Sequence, residues 1–279
     1  MSTFQVFYDA GAEGYGVIFA RVPEHFRTTL LRQARVSTGQ TMLDITTGTG
    51  IVAEAAAHIV GYSGSVIGVD VSRGMLAVAE RRLAPLRNVT IKVMDAQALN
   101  LLDASVDTIT CSLALMLFPD PAQALGEMHR VLRPNGYVST SVLTTPPQSL
   151  TANIQDVIGR YCPERAAAAA QYFSLNDPNL LRQLLATVGF VEIEVFPESK
   201  KFPFASFDTY YTPIEQSAGS VGAELSRRAN RTGSDAVFRE RSEAILTRDL
   251  APSLDTVMRK KLDSKPRRRS TPLLARPSR

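Results

Sequence analysis

Short apolar runs alternate with amphipathic segments between residues 41 and 143 of the chain. Five runs rich in apolar and β-branched residues predict strands, namely TMLDIT, SVIGVDV, VTIKVMDA, VDTITCSLAL and YVSTSVL. Helical periodicity marks IVAEAAAHIVG, RGMLAVAERRLAPL and PAQALGEMHRVLRPNG, the last of which has Pro at its start and Asn-Gly past its end. Because strands separated by helices form a parallel sheet with helices on both faces, the pattern predicts an α/β, doubly wound fold.

The pattern changes on either side of this region. Residues 1–40 contain several aromatic residues and a predicted helix around residues 25–34. Later, NDPNLLRQLLATVGF predicts a helix with Asn176 or Asp177 as N-cap and Gly189 as C-cap, and VEIEVFPESKKFPF predicts at least one further strand. We therefore predict four parts, which are an N-terminal helical cap at 1–40, a core at 41–145, substrate-cap helices with the remaining strands at 146–258, and a basic, disordered tail at 259–279.

The formal net charge of +4 arises at the C-terminal end of the chain. Residues 259–279 contain nine Lys or Arg and one Asp, whereas residues 1–258 carry 22 basic and 26 acidic residues. A run of like charge is usually a solvated end. The rest of the chain has no basic face with interleaved aromatic residues, which argues against nucleic acid as a partner.

The two cysteines, Cys111 and Cys162, lie far apart and show no metal-ligand spacing. This argues for a reducing compartment and against a disulfide framework or a metal site. The N-terminus lacks a basic region followed by an apolar run, and no apolar stretch approaches the roughly 18 residues that span a bilayer. These features predict a cytoplasmic protein without a membrane span, as a monomer or a homodimer.

The segment LDITTGTG ends a predicted strand and begins a predicted helix. Gly48 and Gly50 allow a tight turn and the close approach of a ligand. Asp70, at the end of VIGVD, lies twenty residues beyond Gly50 and could accept hydrogen bonds from both hydroxyls of a ribose. The two elements together predict an adenosine ligand, but GTGIVA also fits the G-x-G-x-x-A pattern of dinucleotide sites.

Three features favour S-adenosylmethionine (SAM) over a dinucleotide. Asp44, four residues before Gly48, suits a cationic amino acid group and is unfavourable beside a pyrophosphate. Asp95, after the third strand, stands where an adenine amino group could donate a hydrogen bond. Finally, no Tyr-x-x-x-Lys pair follows the fourth strand, so a common arrangement for hydride transfer is missing.

The segment from residue 41 to 142 resembles the SAM-binding core of class I methyltransferases, in the methyltransferase-11 group that includes ubiquinone and menaquinone biosynthesis methyltransferases. The matching segments are LDITTGTG, VIGVDVSRGML, VMDAQAL, VDTITCSLALMLFPD and EMHRVLRPNGYV, followed by LLATVGFVEIEV. The resemblance implies a mostly parallel, seven-stranded sheet of the Rossmann-like methyltransferase type with helical cap segments. It also implies SAM as the cofactor and a small molecule as the methyl acceptor.

The resemblance also implies roles for individual residues. The methionine part of SAM would lie against Asp44, Thr46 and Gly48, in the loop that ends with Gly50. The adenosine part would contact Asp70, Val71, Met75, Asp95 and Ala96. The methyl donor and the acceptor would lie beside Ser112 and Leu113, and Tyr8, in FYDAGAEGY, would close over SAM.

One residue departs from the family pattern, because the family usually has Gly where this chain has Thr46. A β-branched residue resists a positive φ angle. We therefore expect either a negative φ at Thr46 or a shifted loop.

Methyl transfer from SAM needs alignment and exclusion of water more than acid–base groups, and no Ser/His/Asp set is visible in the sequence. The catalytic residue is unknown, with His25, near the N-terminal cap, as a candidate base. We interpret His58 as structural, His129 as a surface residue and Asp120 as a helix cap.

Aromatic residues between residues 202 and 211 would suit an apolar or planar substrate, although they would equally suit a core. Two alternatives remain open. One is a NAD(P)-dependent reductase with a Rossmann fold. The other is a non-catalytic regulatory protein with the SAM-binding fold, which Thr46 and the missing base would fit.

Overall fold

The computed structural model describes residues 3–18, 20–143, 170–200 and 255–262. The helices are α1 (Thr3–Ile18), α2 (Arg21–Gln33), α3 (Ile51–Val60), α4 (Arg73–Leu83), α5 (Pro121–Val131) and α6 (Pro178–Thr187). The strands are β1 (Thr41–Ile45), β2 (Ser65–Asp70), β3 (Val89–Val93), β4 (Val106–Ser112), β5 (Leu132–Val142), β6 (Phe190–Phe196) and β7 (Asp255–Leu262), and a 3-10 turn spans Leu115–Leu117.

Five parallel strands form the centre of the sheet, in the order β3-β2-β1-β4-β5. This arrangement with its helices confirms the predicted α/β, Rossmann-like fold. Strand β1 lies between β2 and β4. From β1 the chain forms β2 and β3 on one side, and it then crosses to the other side of β1 to form β4 and β5. In open α/β sheets, ligands bind at such a switch point, outside the carboxyl ends of the strands.

The sheet separates two apolar clusters, as the alternation of side chains along β1 requires. Leu43 and Ile45 belong to the cluster that contains α5 residues such as Leu125 and Met128. Met42 points to the other side and packs in the cluster formed with α2, α3 and α4. Asp44 shares the face of Met42 but lies at the carboxyl end of the strand, where the site is built.

The helix predicted for PAQALGEMHRVLRPNG is confirmed over its first eleven residues but ends earlier than predicted. Helix α5 ends at Val131, because Leu132 is extended (φ −75°, ψ 132°) and begins β5. Pro134 disfavours a helical conformation at the residue before it. The register between β4 and β5 shifts from Val106↔Leu132 to Thr108↔Tyr137, so the Asn-Gly pair lies in an irregularity of the strand.

Two predicted helix caps are confirmed by hydrogen bonds. The carboxylate of Asp120 accepts the N–H of Gln123 at 3.0 Å at the start of α5. Asp177, rather than Asn176, caps α6 by accepting the N–H of Asn179 at 2.8 Å. At the other end of α6, Gly189 lies one residue beyond the C-cap with φ 98°.

Strand pairing continues beyond β5. Strand β7 lies antiparallel to β5, and β6 lies antiparallel to β7. Strand β7 includes residues 259–262, the first four of the tail that was predicted to be disordered. Strand pairing uses backbone N–H and C=O groups, which every residue except proline offers, so basic side chains do not prevent it.

Several predictions fall on residues outside the described ones. These are most of the substrate-cap helices predicted within 146–258, the aromatic residues between 202 and 211, and the end of the tail. Among the described helices, none is long and apolar enough to cross a membrane.

Candidate cofactor site

A cavity of about 330 Å³ lies at the carboxyl ends of the central strands, under helix α1. Its volume is within the range of small-molecule sites. Ten of the twelve predicted cofactor residues line it: Tyr8, Thr46, Gly48, Asp70, Val71, Met75, Asp95, Ala96, Ser112 and Leu113. The other two, Asp44 and Gly50, do not line it.

The loop after β1 is held by backbone hydrogen bonds. The N–H of Thr47 donates to the carbonyl of Val69 at 2.9 Å, and the N–H of Gly50 donates to the carbonyl of Thr47 at 2.9 Å. Gly48 and Gly50 have φ angles of 55° and 82°, which glycine adopts without steric cost. The loop is therefore tied both to itself and to the neighbouring strand β2.

Thr46 contradicts the first of the two expectations for this position, because its φ angle is 53°. The left-handed conformation costs an ordinary L-residue about 1–2 kcal/mol. The hydroxyl of Thr46 donates to the carbonyl of Ile45 and lies 3.8 Å from the sulfur of Cys111. The loop thus keeps the backbone conformation that glycine would favour and places a half-buried threonine side chain in the cavity wall.

Asp44, in β1, is hydrogen-bonded to the loop that follows this strand. Its side chain is buried, and its two oxygens accept the hydroxyls of Thr47 and Thr110, each at 2.7 Å. Burial raises the pKa of Asp44 to about 6, although the two hydroxyls act in the opposite direction. The predicted contact between Asp44 and the cationic group of SAM stays a prediction; in the structure each of its oxygens accepts one threonine hydroxyl. The sequence analysis missed Thr47 and Thr110, which a search for hydroxyls near a buried acid could have found.

Gly50 serves helix packing. A Cβ atom at this position would lie 2.9 Å from Cδ1 of Leu83 and 3.3 Å from Cβ of Ala79. The absence of a side chain lets the start of α3 pack closely against α4. Gly50 therefore shapes the loop without touching the cavity.

Asp70 has the geometry expected of a ribose ligand. It lies at the end of β2 with only 7% of its surface exposed, and it lines the cavity. One carboxylate oxygen accepts the N–H of Gly48 at 3.0 Å, and the other accepts the N–H of Ser72 at 2.9 Å. Each oxygen can accept a second hydrogen bond. Burial raises the pKa of Asp70, and the hydrogen bonds from Ser72 and Gly48 oppose that shift.

The adenine side of the cavity combines apolar and polar groups. Met75 and Ala96 are buried and form part of the wall, together with Val71. Asp95 is exposed, and its carboxylate accepts the N–H of Gln97 at 2.8 Å. Two further lining residues, Met94 and Gln97, were not predicted, although both flank Asp95 in the sequence.

The opposite wall follows β4. Ser112 ends this strand, and Leu113 has a φ angle of 55°. The N–H of Leu113 donates to the carbonyl of Ser141 at 3.0 Å, which fixes the bend. Beyond it the wall is apolar and consists of Ala114, Leu117, Phe118 and Pro119. The sequence predicted the position of this wall but not its apolar extent.

Helix α1 covers the cavity with two tyrosines. The rings of Tyr8 and Tyr15 meet edge to face with 6.0 Å between their centroids, and both line the cavity. The hydroxyl of Tyr8 lies 3.5 Å from that of Tyr172. Burial raises the pKa of Tyr15 to about 12 and that of Tyr8 above its ordinary value. Both phenols are therefore neutral near pH 7. Tyr15 and Tyr172 were not predicted.

None of the three histidines lines the described cavity. His25, the candidate base, lies on α2 with its ring 4.9 Å from that of Phe26, edge to face. His58 is exposed, and the ring of His129 lies 5.3 Å from that of Phe190. In the part of the chain that the structure describes, no group of three or more His, Cys, Asp or Glu side chains is placed to hold a metal ion.

The fold and the site together define a Rossmann-like protein with a cavity at the carboxyl ends of its central strands. The family model described as a methyltransferase domain matches residues 43–140. The demethylmenaquinone methyltransferase of Staphylococcus epidermidis is 32% identical over 182 residues, which are 61% of this chain and 76% of that protein.

Two solved structures show the same fold at low sequence identity. The [4+2]-cyclase SpnF is 16% identical with a TM-score of 0.60, and the match covers 89% of this chain and 84% of that one. A phosphoethanolamine N-methyltransferase of Haemonchus contortus, with S-adenosylhomocysteine bound, is 18% identical with a TM-score of 0.58 over 92% of this chain and 58% of that one.

The chain belongs to the class I SAM-dependent methyltransferases, and it is related to the methyltransferases of quinone biosynthesis. It is therefore an enzyme that uses SAM as its methyl donor.

Proposed function

We propose that the chain transfers a methyl group from SAM to an apolar or planar small molecule, and that the cavity under α1 holds the donor. The observation that carries the assignment is Asp70, a buried carboxylate on the cavity wall with one backbone N–H on each oxygen. A ribose could still donate to both oxygens. Gly48, Val71, Met75, Asp95 and Ala96 surround the same part of the cavity.

SAM supplies an electrophilic methyl group, so the chain's own residues have to orient the reactants and exclude water. Thr46, Ser112 and Leu113 line the part of the cavity between the loop and β4, where the acceptor would meet the donor. Tyr8 and Tyr15 close the cavity from above. Their phenols stay protonated near pH 7, so they can donate hydrogen bonds but cannot serve as bases there.

The acceptor class follows from the wall beyond Leu113. The four residues that line the cavity there, Ala114, Leu117, Phe118 and Pro119, are apolar, and Tyr8 and Tyr15 line it from α1. Flat faces of this kind favour an aromatic substrate. Because the relatives named above act on demethylmenaquinone, a hydroxylated aromatic ring is the first acceptor to test. Oxygen, nitrogen and carbon nucleophiles all fit the proposed mechanism.

The wider organisation is part of the same proposal. The cap at 1–40 and the segments within 146–258 would select the acceptor, and the sheet would have seven strands, with β7 between β5 and β6. The protein would act in the cytoplasm, as a monomer or homodimer, with no nucleic acid partner.

Calorimetric titration tests the cofactor site. The wild-type chain should bind SAM more tightly than NADH, and Asp70→Asn should weaken SAM binding by about 10–100-fold, since hydrogen bonds to a charged group contribute about 1.5–3 kcal/mol. Asp177→Asn is the matched control, because it removes the same charge at an exposed helix cap where Asn serves equally well. Tighter binding of NADH would favour the reductase alternative.

Transfer of a labelled methyl group to a panel of hydroxyaromatic, amine and carboxylate acceptors tests the reaction. Methylation confined to flat aromatic acceptors would support the proposed class. Tight SAM binding without transfer to any acceptor of the panel would contradict the proposed acceptor class.

A further inference from the structure

Helix α1 is attached to the start of α4 through the side chain of Asp9. One carboxylate oxygen of Asp9 accepts the hydroxyl of Ser72 at 2.6 Å and the N–H of Gly74 at 3.0 Å. The first N–H groups of a helix have no partner within the helix, and a negative charge is favourable at that end. Asp9 therefore satisfies a donor of α4 from a different helix.

The two helices also approach closely at this point. A Cβ atom on Gly74 would lie 2.6 Å from the backbone carbonyl oxygen of Asp9 and 3.1 Å from its Cα. Gly74 lies within α4, where alanine would otherwise be the better helix former. Nearby, the side-chain amide of Gln5 donates to the carbonyl of Val71 at 3.1 Å. Contacts from α1 thus reach three positions between Val71 and Gly74.

The same turn holds the carboxylate proposed for the ribose. The backbone N–H of Ser72 donates to Asp70 at 2.9 Å, while the hydroxyl of Ser72 donates to Asp9. Ser72 is almost fully buried, and its hydroxyl also accepts the N–H of Met75 at 3.1 Å. One buried serine therefore connects α1 to Asp70. On α1 itself, Tyr8 precedes Asp9 and lines the cavity.

We propose that Asp9 is a positioning residue, which holds α1 over the cavity by binding Ser72 and Gly74 and so increases the affinity for the cofactor. The inference rests on the proposed function, because it assigns the contact to SAM binding. If α1 must lie on α4 for SAM to bind tightly, the apparent dissociation constant equals the intrinsic one divided by the fraction of molecules with α1 in place. A change that lowers this fraction tenfold raises the dissociation constant tenfold.

The chain offers a matched pair of glycine variants for the test. Gly74→Ala places a methyl group against the backbone of Asp9, so it should displace α1 while favouring α4 itself. Gly126→Ala makes the same change within helix α5, where nothing lies within 4 Å of the new atom. Asp9→Ala removes the acceptor, and Asp9→Asn keeps an uncharged acceptor and should have an intermediate effect.

Two measurements on the full chain separate positioning from general stability. Without SAM, amide hydrogen exchange in residues 3–18 should become about tenfold faster in Gly74→Ala and Asp9→Ala but stay unchanged in Gly126→Ala. The SAM dissociation constant from calorimetry should rise in the first two variants only, by the factor by which the attached fraction of α1 falls. The melting temperature of Gly74→Ala should not fall, because most of the molecule is untouched and α4 gains a stronger helix former.

The outcomes are distinguishable. Unchanged exchange in both Gly74→Ala and Asp9→Ala would overturn the attachment, and faster exchange with unchanged SAM affinity would overturn the positioning role. If the wild-type chain fails to bind SAM, the proposed function is wrong, and so is the proposed effect of Asp9 on cofactor affinity. The exchange rates would then still decide whether Asp9 and Gly74 hold α1.

Discussion

The left-handed conformation of Thr46 predicts an unusual order of stability among variants at this position. Elsewhere, replacing alanine by glycine destabilises a protein, since glycine loses more conformational freedom on folding. At φ 53° the order should reverse, because only residues with a Cβ atom pay the steric cost. We therefore expect Thr46→Gly to be more stable than Thr46→Ala.

The size of the difference follows from two opposing contributions. Relief of the left-handed conformation is worth about 1–2 kcal/mol. The entropy of glycine in the unfolded chain offsets roughly 0.5–1 kcal/mol of this gain. The free energy of unfolding of Thr46→Gly should thus exceed that of Thr46→Ala by up to about 1.5 kcal/mol. Comparing these two variants cancels the loss of the threonine hydroxyl, which both lack.

Urea unfolding followed by circular dichroism measures the difference, with two alanine positions as controls. Ala104 is exposed with a φ angle of 49°, so Ala104→Gly should also stabilise. Ala77 is exposed within α4, so Ala77→Gly should cost about 1 kcal/mol. If Thr46→Ala proves more stable than Thr46→Gly while both controls behave as expected, the backbone at Thr46 is not left-handed and the geometry given for the loop is wrong.

Three further predictions concern buried groups. Because folding raises the pKa of Asp44 from 3.8 to about 6, the folded state binds more protons than the unfolded state between these values. The free energy of unfolding should therefore fall as pH rises from 3.8 to about 6, by about 1.4 kcal/mol per pKa unit. Urea unfolding at several pH values should show a smaller fall for Asp44→Asn than for the wild type. Gly50→Ala should lower the free energy of unfolding by about 1–3 kcal/mol, because its Cβ atom would clash with the side chain of Leu83. In a Leu83→Ala background the same substitution should cost less, and an equal cost would contradict the clash. In a Cys162→Ser background, the thiol of Cys111 should react with a disulfide reagent only after unfolding, because burial raises its pKa to about 12; fast labelling of the folded protein at pH 8 would contradict its burial.

The central sheet could be predicted because its signals are local. Each strand from β1 to β5 is a short apolar run between polar or glycine-containing segments, and each helix between them shows a clear periodicity. The exception, the end of α5, is also instructive. Asn-Gly after a helical segment predicts a helix end, but the same pair fits an irregular strand, and only the pairing with β4 decides between them.

Strand β7 could not be predicted in the same way. It lies between two strands that precede it by more than fifty residues, and its partners supply backbone groups whatever its side chains are. The contacts of α1 escaped prediction for a related reason, since Asp9 and Gly74 are 65 positions apart and neither shows a local pattern.

The site residues divide according to what each position has to satisfy. Position in the sequence led to Asp70, because ligands bind at the carboxyl ends of the strands in open α/β sheets. Asp70 ends β2 and lines the cavity with one backbone N–H on each carboxylate oxygen, and its contact with a ribose stays a prediction. The same reasoning led to Asp44, which lies one residue before the end of β1 and does not line the cavity. Its oxygens accept the hydroxyls of Thr47 and Thr110, each at 2.7 Å, so the carboxylate supports the loop that follows β1. An acid near the end of a strand can therefore line the cavity or support the loop beside it, and the positions of neighbouring hydroxyl groups, one of them 66 residues away, distinguish the two cases.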